Sequence, residues 1–140
     1  DYLVLNTANA NLIASTSDTE FVFDINNLNY EYDLCTLELV SCVIEDTSTS
    51  LISSQIKGLV QIYSNIRTFN IHAFEDGLVG VIERHEIVGD IMKTSNIAMS
   101  VKCHPPRGSI KFSLKNSSNV TFADGNVNNI SLVFKITYES

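Results

Sequence analysis

The chain has 140 residues, 44% of them hydrophobic and 18% charged, with a formal net charge of −7. That apolar content is too high for a disordered chain, and the length suffices to bury a core without metals or disulfide staples, so a single domain spanning 1–140 is expected. The acidic balance and the absence of any Lys/Arg cluster argue against a nucleic-acid partner, and no apolar run is long enough to span a membrane as a helix.

Ile, Val and Thr make up about a quarter of the chain, a bias toward pleated, half-buried strands. The chain opens Asp1-Tyr2-Leu3-Val4-Leu5, with neither Met nor a basic segment, and no signal peptide is expected in it. The first strand expected is Phe21–Ile25, where Phe21, Phe23 and Ile25 alternate with Val22 and Asp24. Leu34–Ile44 is apolar on both faces, with Leu37 and Leu39 on one and Val40, Cys42 and Ile44 near the other, which suits a central strand. The Thr/Ser-rich Asp46–Ser54 reads as a loop, with a short helical turn near Gln55.

Further strands are expected over Leu59–Tyr63, Phe69–Phe74, Leu78–Ile82, Ile97–Val101 and Ile110–Leu114. Asp76-Gly77 reads as a hairpin between two of them, because Gly tolerates positive φ. Pro105-Pro106-Arg107-Gly108 breaks the chain between two strands, since proline cannot sit inside a ladder. Asp124-Gly125-Asn126 marks a turn before the last strand, Ile130–Tyr138. There Ile130, Leu132, Phe134, Ile136 and Tyr138 share one face while Ser131, Lys135 and Thr137 share the other, the period of a strand and not of a helix. The whole reads as an all-β, antiparallel two-sheet sandwich of about eight strands, the number of a jelly roll, although other sandwiches fit as well.

Two passages carry a likeness to a known family. One is Leu59-Val60-Gln61-Ile62-Tyr63-Ser64-Asn65-Ile66, followed by Leu78-Val79-Gly80-Val81-Ile82. The other is Phe122-Ala123-Asp124-Gly125-Asn126-Val127-Asn128-Asn129 running into Ile130-Ser131-Leu132-Val133-Phe134-Lys135-Ile136. A strand ending in a Ser-Asn pair, a Leu-x-Gly-x-Ile strand, and a D-G-N turn before a long C-terminal strand resemble the single jelly-roll vertex (penton-type) and minor capsid or spike proteins of virophages and polinton-like viruses. The resemblance lies mainly in the second half of the chain. It implies a jelly roll serving as a building block of an icosahedral shell, or a projecting domain or spike head built on the same plan, and it brings no catalytic residues with it.

The residues that bear chemistry form no recognisable machinery. His72, His85 and His104 are widely spaced, and Glu83-Arg84-His85-Glu86 lacks the HExxH spacing that puts two ligands on one helical face, so neither it nor Asp90 and Cys103 are assigned to a metal site. Cys103 and His104 are neighbours, which in a strand point oppositely, whereas a nucleophile and its base must converge. Cys35, Cys42 and Cys103 are odd in number and show no CxxC spacing. Cys35 and Cys42, seven apart in one extended segment, are expected on opposite faces as core fillers of a protein that folds in a reducing compartment.

Asp124-Gly125-Asn126-Val127-Asn128 begins like an EF-hand loop, but Asn129 stands where its glycine belongs and Lys135 where its bidentate Glu belongs, so a hairpin turn is the better reading. Glu75-Asp76 reads as a solvated turn and not as a glycosidase pair. The acceptor patterns at Asn116, Asn119 and Asn129 arise readily in a chain so rich in Asn and Ser. Tyr30 and Tyr32, in Asn29-Tyr30-Glu31-Tyr32-Asp33, are the candidate ligand or interface aromatics, with packing at the sandwich rim as the alternative role.

The expected function is that of a viral structural protein, a capsid vertex or minor capsid domain acting by symmetric self-assembly. The alternative is the receptor- or glycan-binding head of a viral spike or fibre. Expected partners are further copies in a pentamer or trimer, other capsid proteins and, for a head domain, a host receptor or glycan. No nucleic acid, membrane span, catalytic activity or cofactor is expected. The place of action is the virion, assembled in a host cell.

Overall fold

The structure, a computed structural model, describes residues 2–7, 11–12, 20–25, 31–46, 59–66, 77–83, 87–88, 91–95, 100–116 and 127–139. Among these residues lie eleven strands: β1 (Tyr2–Asn6), β2 (Asn11–Leu12), β3 (Glu20–Ile25), β4 (Leu34–Asp46), β5 (Leu59–Ser64), β6 (Gly77–Glu83), β7 (Ile87–Val88), β8 (Ile91–Ser95), β9 (Ser100–Cys103), β10 (Gly108–Lys115) and β11 (Val127–Glu139). They form two antiparallel sheets. The first runs β1-β11-β4-β8-β7, with β9 also pairing β4; the second runs β2-β3-β10-β5-β6.

Strands β8 and β9 lie end to end along β4, β8 opposite Ser41–Glu45 and β9 opposite Cys35–Glu38, so they are two halves of one interrupted strand. Counting them together and setting aside the two-residue β2 and β7 leaves eight main strands among those described. In chain order the first sheet is then first-eighth-third-sixth and the second is second-seventh-fourth-fifth. That paired winding of two Greek keys across two layers is the jelly roll. Of these eight main strands, only β5 and β6 follow one another within a sheet; every other connection between described main strands passes from one layer to the other.

The winding also fixes which links cross between the layers. β10 lies in the second sheet and β11 in the first, so these two strands do not pair as a hairpin; the expected turn at Asp124-Gly125-Asn126 between them lies outside the described residues. Pro105-Pro106-Arg107 passes between layers, from β9 to β10, and Gly108 opens β10 at φ 72°, a conformation open to glycine at little cost. The expected Phe69–Phe74 strand, the Asp46–Ser54 loop beyond its first residue, and the turn near Gln55 lie outside the described residues.

Strand β11 obeys its alternation: Ile130, Leu132, Phe134 and Ile136 are buried, while Lys135 and Thr137 are exposed. Its neighbour β4 departs from the expected two-faced pattern. Leu39 pairs with Phe134 and Ser41 with Val133, which leaves Val40 as an extra residue in a β-bulge. The bulge reverses parity, so odd-numbered Cys35, Leu37 and Leu39 and even-numbered Cys42 and Ile44 all enter the same core. Cys35 and Cys42 therefore share a face, contrary to the expectation from their spacing.

The layers interlock through aromatics. Phe112 of β10 sits 5.7 Å from Phe134 of β11 across the sandwich and 5.9 Å, edge-on, from Phe23 of its own sheet. Such contacts add about 0.5–1.5 kcal/mol each to the burial of the rings. Gly80 gives the Leu-x-Gly-x-Ile strand a packing role: a Cβ there would lie 2.6 Å from Leu39 Cδ2, so a side chain at position 80 would force the end of the buried Leu39 side chain to shift.

Candidate functional site

Two surface regions stand out among the described residues, a cleft at one end of the sandwich and an apolar strip on a face. The end gathers the segments that follow β3, β5 and β9. Tyr32 and Asp33 precede β4, Asn65 and Ile66 follow β5, and His104 to Arg107 join β9 to β10; together with Ile110 they line an open cleft of about 450 Å³. Buried Ile66 and Ile110 give it an apolar base, and the buried pair Pro105 and Pro106 stiffens one wall.

Hydrogen bonds hold Asn65 and His104 in the walls. Ser64, at the end of β5, accepts a hydrogen bond on Oγ from the Ile66 amide (3.2 Å), which turns the chain out of the strand. Asn65 then continues the ladder with its side chain, its Oδ1 accepting from the Lys111 amide at 2.9 Å while its own amide donates to the Lys111 carbonyl at 3.3 Å. This is the physical use of the Ser-Asn pair noted in the sequence. Across the cleft, His104 Nδ1 donates to the Asp33 carbonyl at 3.0 Å, which fixes the ring and joins the β9–β10 link to the entry of β4.

Tyr32 stacks its ring on Tyr138 of β11, with centroids 5.4 Å apart and planes inclined by 28°. It packs the rim of the sandwich and lines the cleft at once. Tyr30 lies outside the described residues, as do His72, His85, Glu86, Asp90 and the Glu75-Asp76 pair. Among the described residues no group of three or more His, Cys, Asp or Glu side chains is placed to hold a metal ion. Cys103 and His104 diverge: the sulfur meets Cys35 in the core, while the ring meets the Asp33 carbonyl at the surface. Asn129, one of the acceptor-pattern residues, is tied into the sheet, its Oδ1 accepting from Thr7 Oγ1 at 2.9 Å. Asn119 lies outside the described residues.

The second region is the outer face of β1, an edge strand that pairs only with β11 among the described residues. Leu3 and Leu5 enter the core while Tyr2 and Val4 point outward, 63% and 65% exposed. Val4 lies directly opposite Val133, whose side chain is on the same outer face of β11. Tyr2, Val4 and Val133 thus make a short apolar strip along the β1 edge of the sheet. Sequence reasoning missed this strip because every residue from Tyr2 to Leu5 is apolar or aromatic, so alternation carries no contrast there. It also missed the apposition of Cys35 and Cys103, which only the β4–β9 register reveals.

No family model matches the chain, and no curated protein matches it.

Proposed function

We propose that this jelly roll is a structural building block of a virus particle, a capsid vertex or minor capsid domain that works by symmetric self-assembly. The observation that carries the reading is the edge of β1, which pairs only with β11 among the described residues and turns Tyr2 and Val4 outward. An edge strand offers unpaired backbone groups to a neighbour, and soluble proteins ordinarily protect such edges with charge, proline or a cover. Here the outward side chains are apolar, the composition expected where a second copy buries them.

Further support comes from the jelly-roll winding and from the Ser64-Asn65 and Gly80 features that carry the likeness to virophage and polinton-like virus capsid proteins. The net charge of −7 suits a protein that contacts other proteins and not a packaged genome. Particle assembly in a host cell and residence in the virion follow from the same reading. On it the domain needs neither catalysis nor a cofactor, because edge and face complementarity do the work.

Size-exclusion chromatography with light scattering tests it: a pentamer is expected for a vertex component and a trimer for a spike or fibre head. A strict monomer at high micromolar concentration would overturn it. A second reading, a receptor- or glycan-binding head, is favoured by one specific feature, the cleft that joins Tyr32 to His104 and Arg107. An aromatic face beside hydrogen-bonding side chains suits a sugar ring. A glycan array without hits removes that reading and leaves the first intact.

A further inference from the structure

Cys35 on β4 and Cys103 on β9 are direct register partners, and their sulfurs lie 3.5 Å apart. Both are free thiols and both are fully buried. Directly opposed residues of antiparallel strands have Cα atoms ~4.5 or ~5.5 Å apart. Either spacing lies within the ~4.4–6.8 Å that a disulfide spans, so rotation of the two side chains, with the strands left in place, suffices to bring the sulfurs to bonding distance. Cys42 is the built-in contrast. It is equally buried, but its register partners are Leu132 and Thr94, so no thiol faces it.

We infer that Cys35 and Cys103 form a reversible redox latch, closing to an intrachain disulfide when the protein meets a small-molecule disulfide. Cys35 is the entering nucleophile. The S–H of Cys103 donates to its sulfur and holds the Cys35 thiol below its ordinary pKa, while that same bond and burial push the Cys103 thiol up. The Cys35 thiolate attacks one sulfur of the small disulfide, forming a mixed disulfide and releasing one thiolate. That thiolate takes the Cys103 proton. The Cys103 sulfur then attacks Cys35, breaks the mixed disulfide and expels the second thiolate, which is protonated from solvent by the equivalent of the proton Cys35 gave up. Two protein thiols are oxidised by two electrons, and one small disulfide is reduced to two thiols.

Access comes from the edge position of β9. The strand has four residues and, among those described, pairs in its sheet with β4 alone, so its local opening breaks a single short ladder. The consequence reaches the cleft. Cys103 immediately precedes His104, and Cys35 lies two residues beyond Asp33, so the disulfide sits just below the His104–Asp33 hydrogen bond. Oxidation pins together two walls of the cleft, and reduction leaves them joined by that hydrogen bond and the β4–β9 ladder.

The test is to unfold the full chain in urea and refold it in a glutathione redox buffer, which removes the access barrier, and then to count thiols and map disulfide-linked peptides. The expected result is a fall from three free thiols to one, a single link between Cys35 and Cys103, and recovery of all three thiols on adding dithiothreitol. The closed form is expected to melt roughly 10 °C above the reduced form, since the bond closes a long loop. Cys42→Ala keeps the link, and Cys103→Ser abolishes it. Three thiols remaining after refolding in an oxidising buffer would overturn the proposal, as would a link to Cys42 or between two chains. The wild-type peptide map decides the matter even if a variant fails to fold.

Discussion

Strands β1 and β11 lie side by side in one sheet, in direct register, and both send alternate side chains into the same core. Their outer faces differ. That of β11 is mostly polar, with Ser131, Lys135 and Thr137 beside the half-buried Val133, whereas that of β1 carries Tyr2 and Val4, well exposed at the sheet's edge. A strand whose outer face is polar is complete within one chain. One whose outer face is apolar and whose backbone edge is open has a place for a neighbour. On the proposed assembly, the contrast separates residues that hold the fold together from residues that meet a second copy, and substitutions on the two strands are expected to act differently on stability and on association.

The largest effect on folding is expected inside β11. Phe134 is fully buried and bridges the sheets through Phe112, so Phe134→Ala loses burial and ring contact and leaves a cavity. The expected loss is about 3–5 kcal/mol, read as a lowered urea midpoint with little change in slope. Gly80→Ala comes next. Its new Cβ meets the end of the buried Leu39 side chain, and overpacking of this kind costs about 1–3 kcal/mol. Leu39→Val in the same chain removes the colliding atom, so the double variant is expected to be more stable than the two single costs summed. Simple additivity would show that the contact across the sheets is not the cause.

A smaller effect is set by pH. Burial pushes the Cys42 thiol up to about 12, from an ordinary value near 9. The unfolded chain gives up this proton near pH 9 while the folded chain keeps it. The unfolded state therefore binds fewer protons in this window, and stability falls as pH rises from about 9 toward 12. The contribution is complete well below pH 9, and on the order of 1 kcal/mol of it is gone by pH 10. Urea midpoints at pH 8 and pH 10 measure the slope, and Cys42→Ala is expected to flatten it. The raised Cys103 thiol acts in the same direction and the lowered Cys35 thiol in the opposite one, so the variant is expected to reduce the slope and not to abolish it.

What the sequence disclosed follows the contrast between neighbouring residues. In β11 and in Phe21–Ile25 of β3, apolar and polar positions alternate cleanly enough to give strand, face and core together. In Tyr2–Leu5 there is no polar residue to mark the outside, and β1 was not expected at all. Strand β8 was also missed; it begins at Ile91, whereas the expected strand began at Ile97 and overlaps only the first residues of β9. The β4 bulge is invisible to any period-two reading, because one inserted residue reverses the face of everything after it. Register is the other hidden quantity: Cys35 and Cys103 are 68 positions apart in the chain, and only the winding of the sheets brings them together. The cleft was legible only through Tyr32, since its remaining walls come from links after β5 and β9 that sequence patterning places in no common region.

The smallest effect on stability is expected at Val4, and it sharpens the comparison most. Val4→Lys alters an exposed side chain that leaves the core untouched, so the isolated domain should change by about 0.5 kcal/mol or less. If a second copy covers β1, the same substitution forces a charge into an apolar contact with no acidic partner arranged for it. Losses of about 2 kcal/mol or more are usual at such central positions, which weakens each contact by roughly thirty-fold or more. Thr137→Lys, on the polar outer face of β11, is the matched control and should leave association unchanged. Light scattering across a concentration series, paired with urea unfolding of each variant, distinguishes the cases. Val4→Lys that dissociates the oligomer without lowering domain stability assigns β1 to assembly. Val4→Lys that instead unfolds the domain, or leaves the oligomer whole, removes β1 as the contact, because an edge strand whose outward residues serve only its own chain is one more wall of the core.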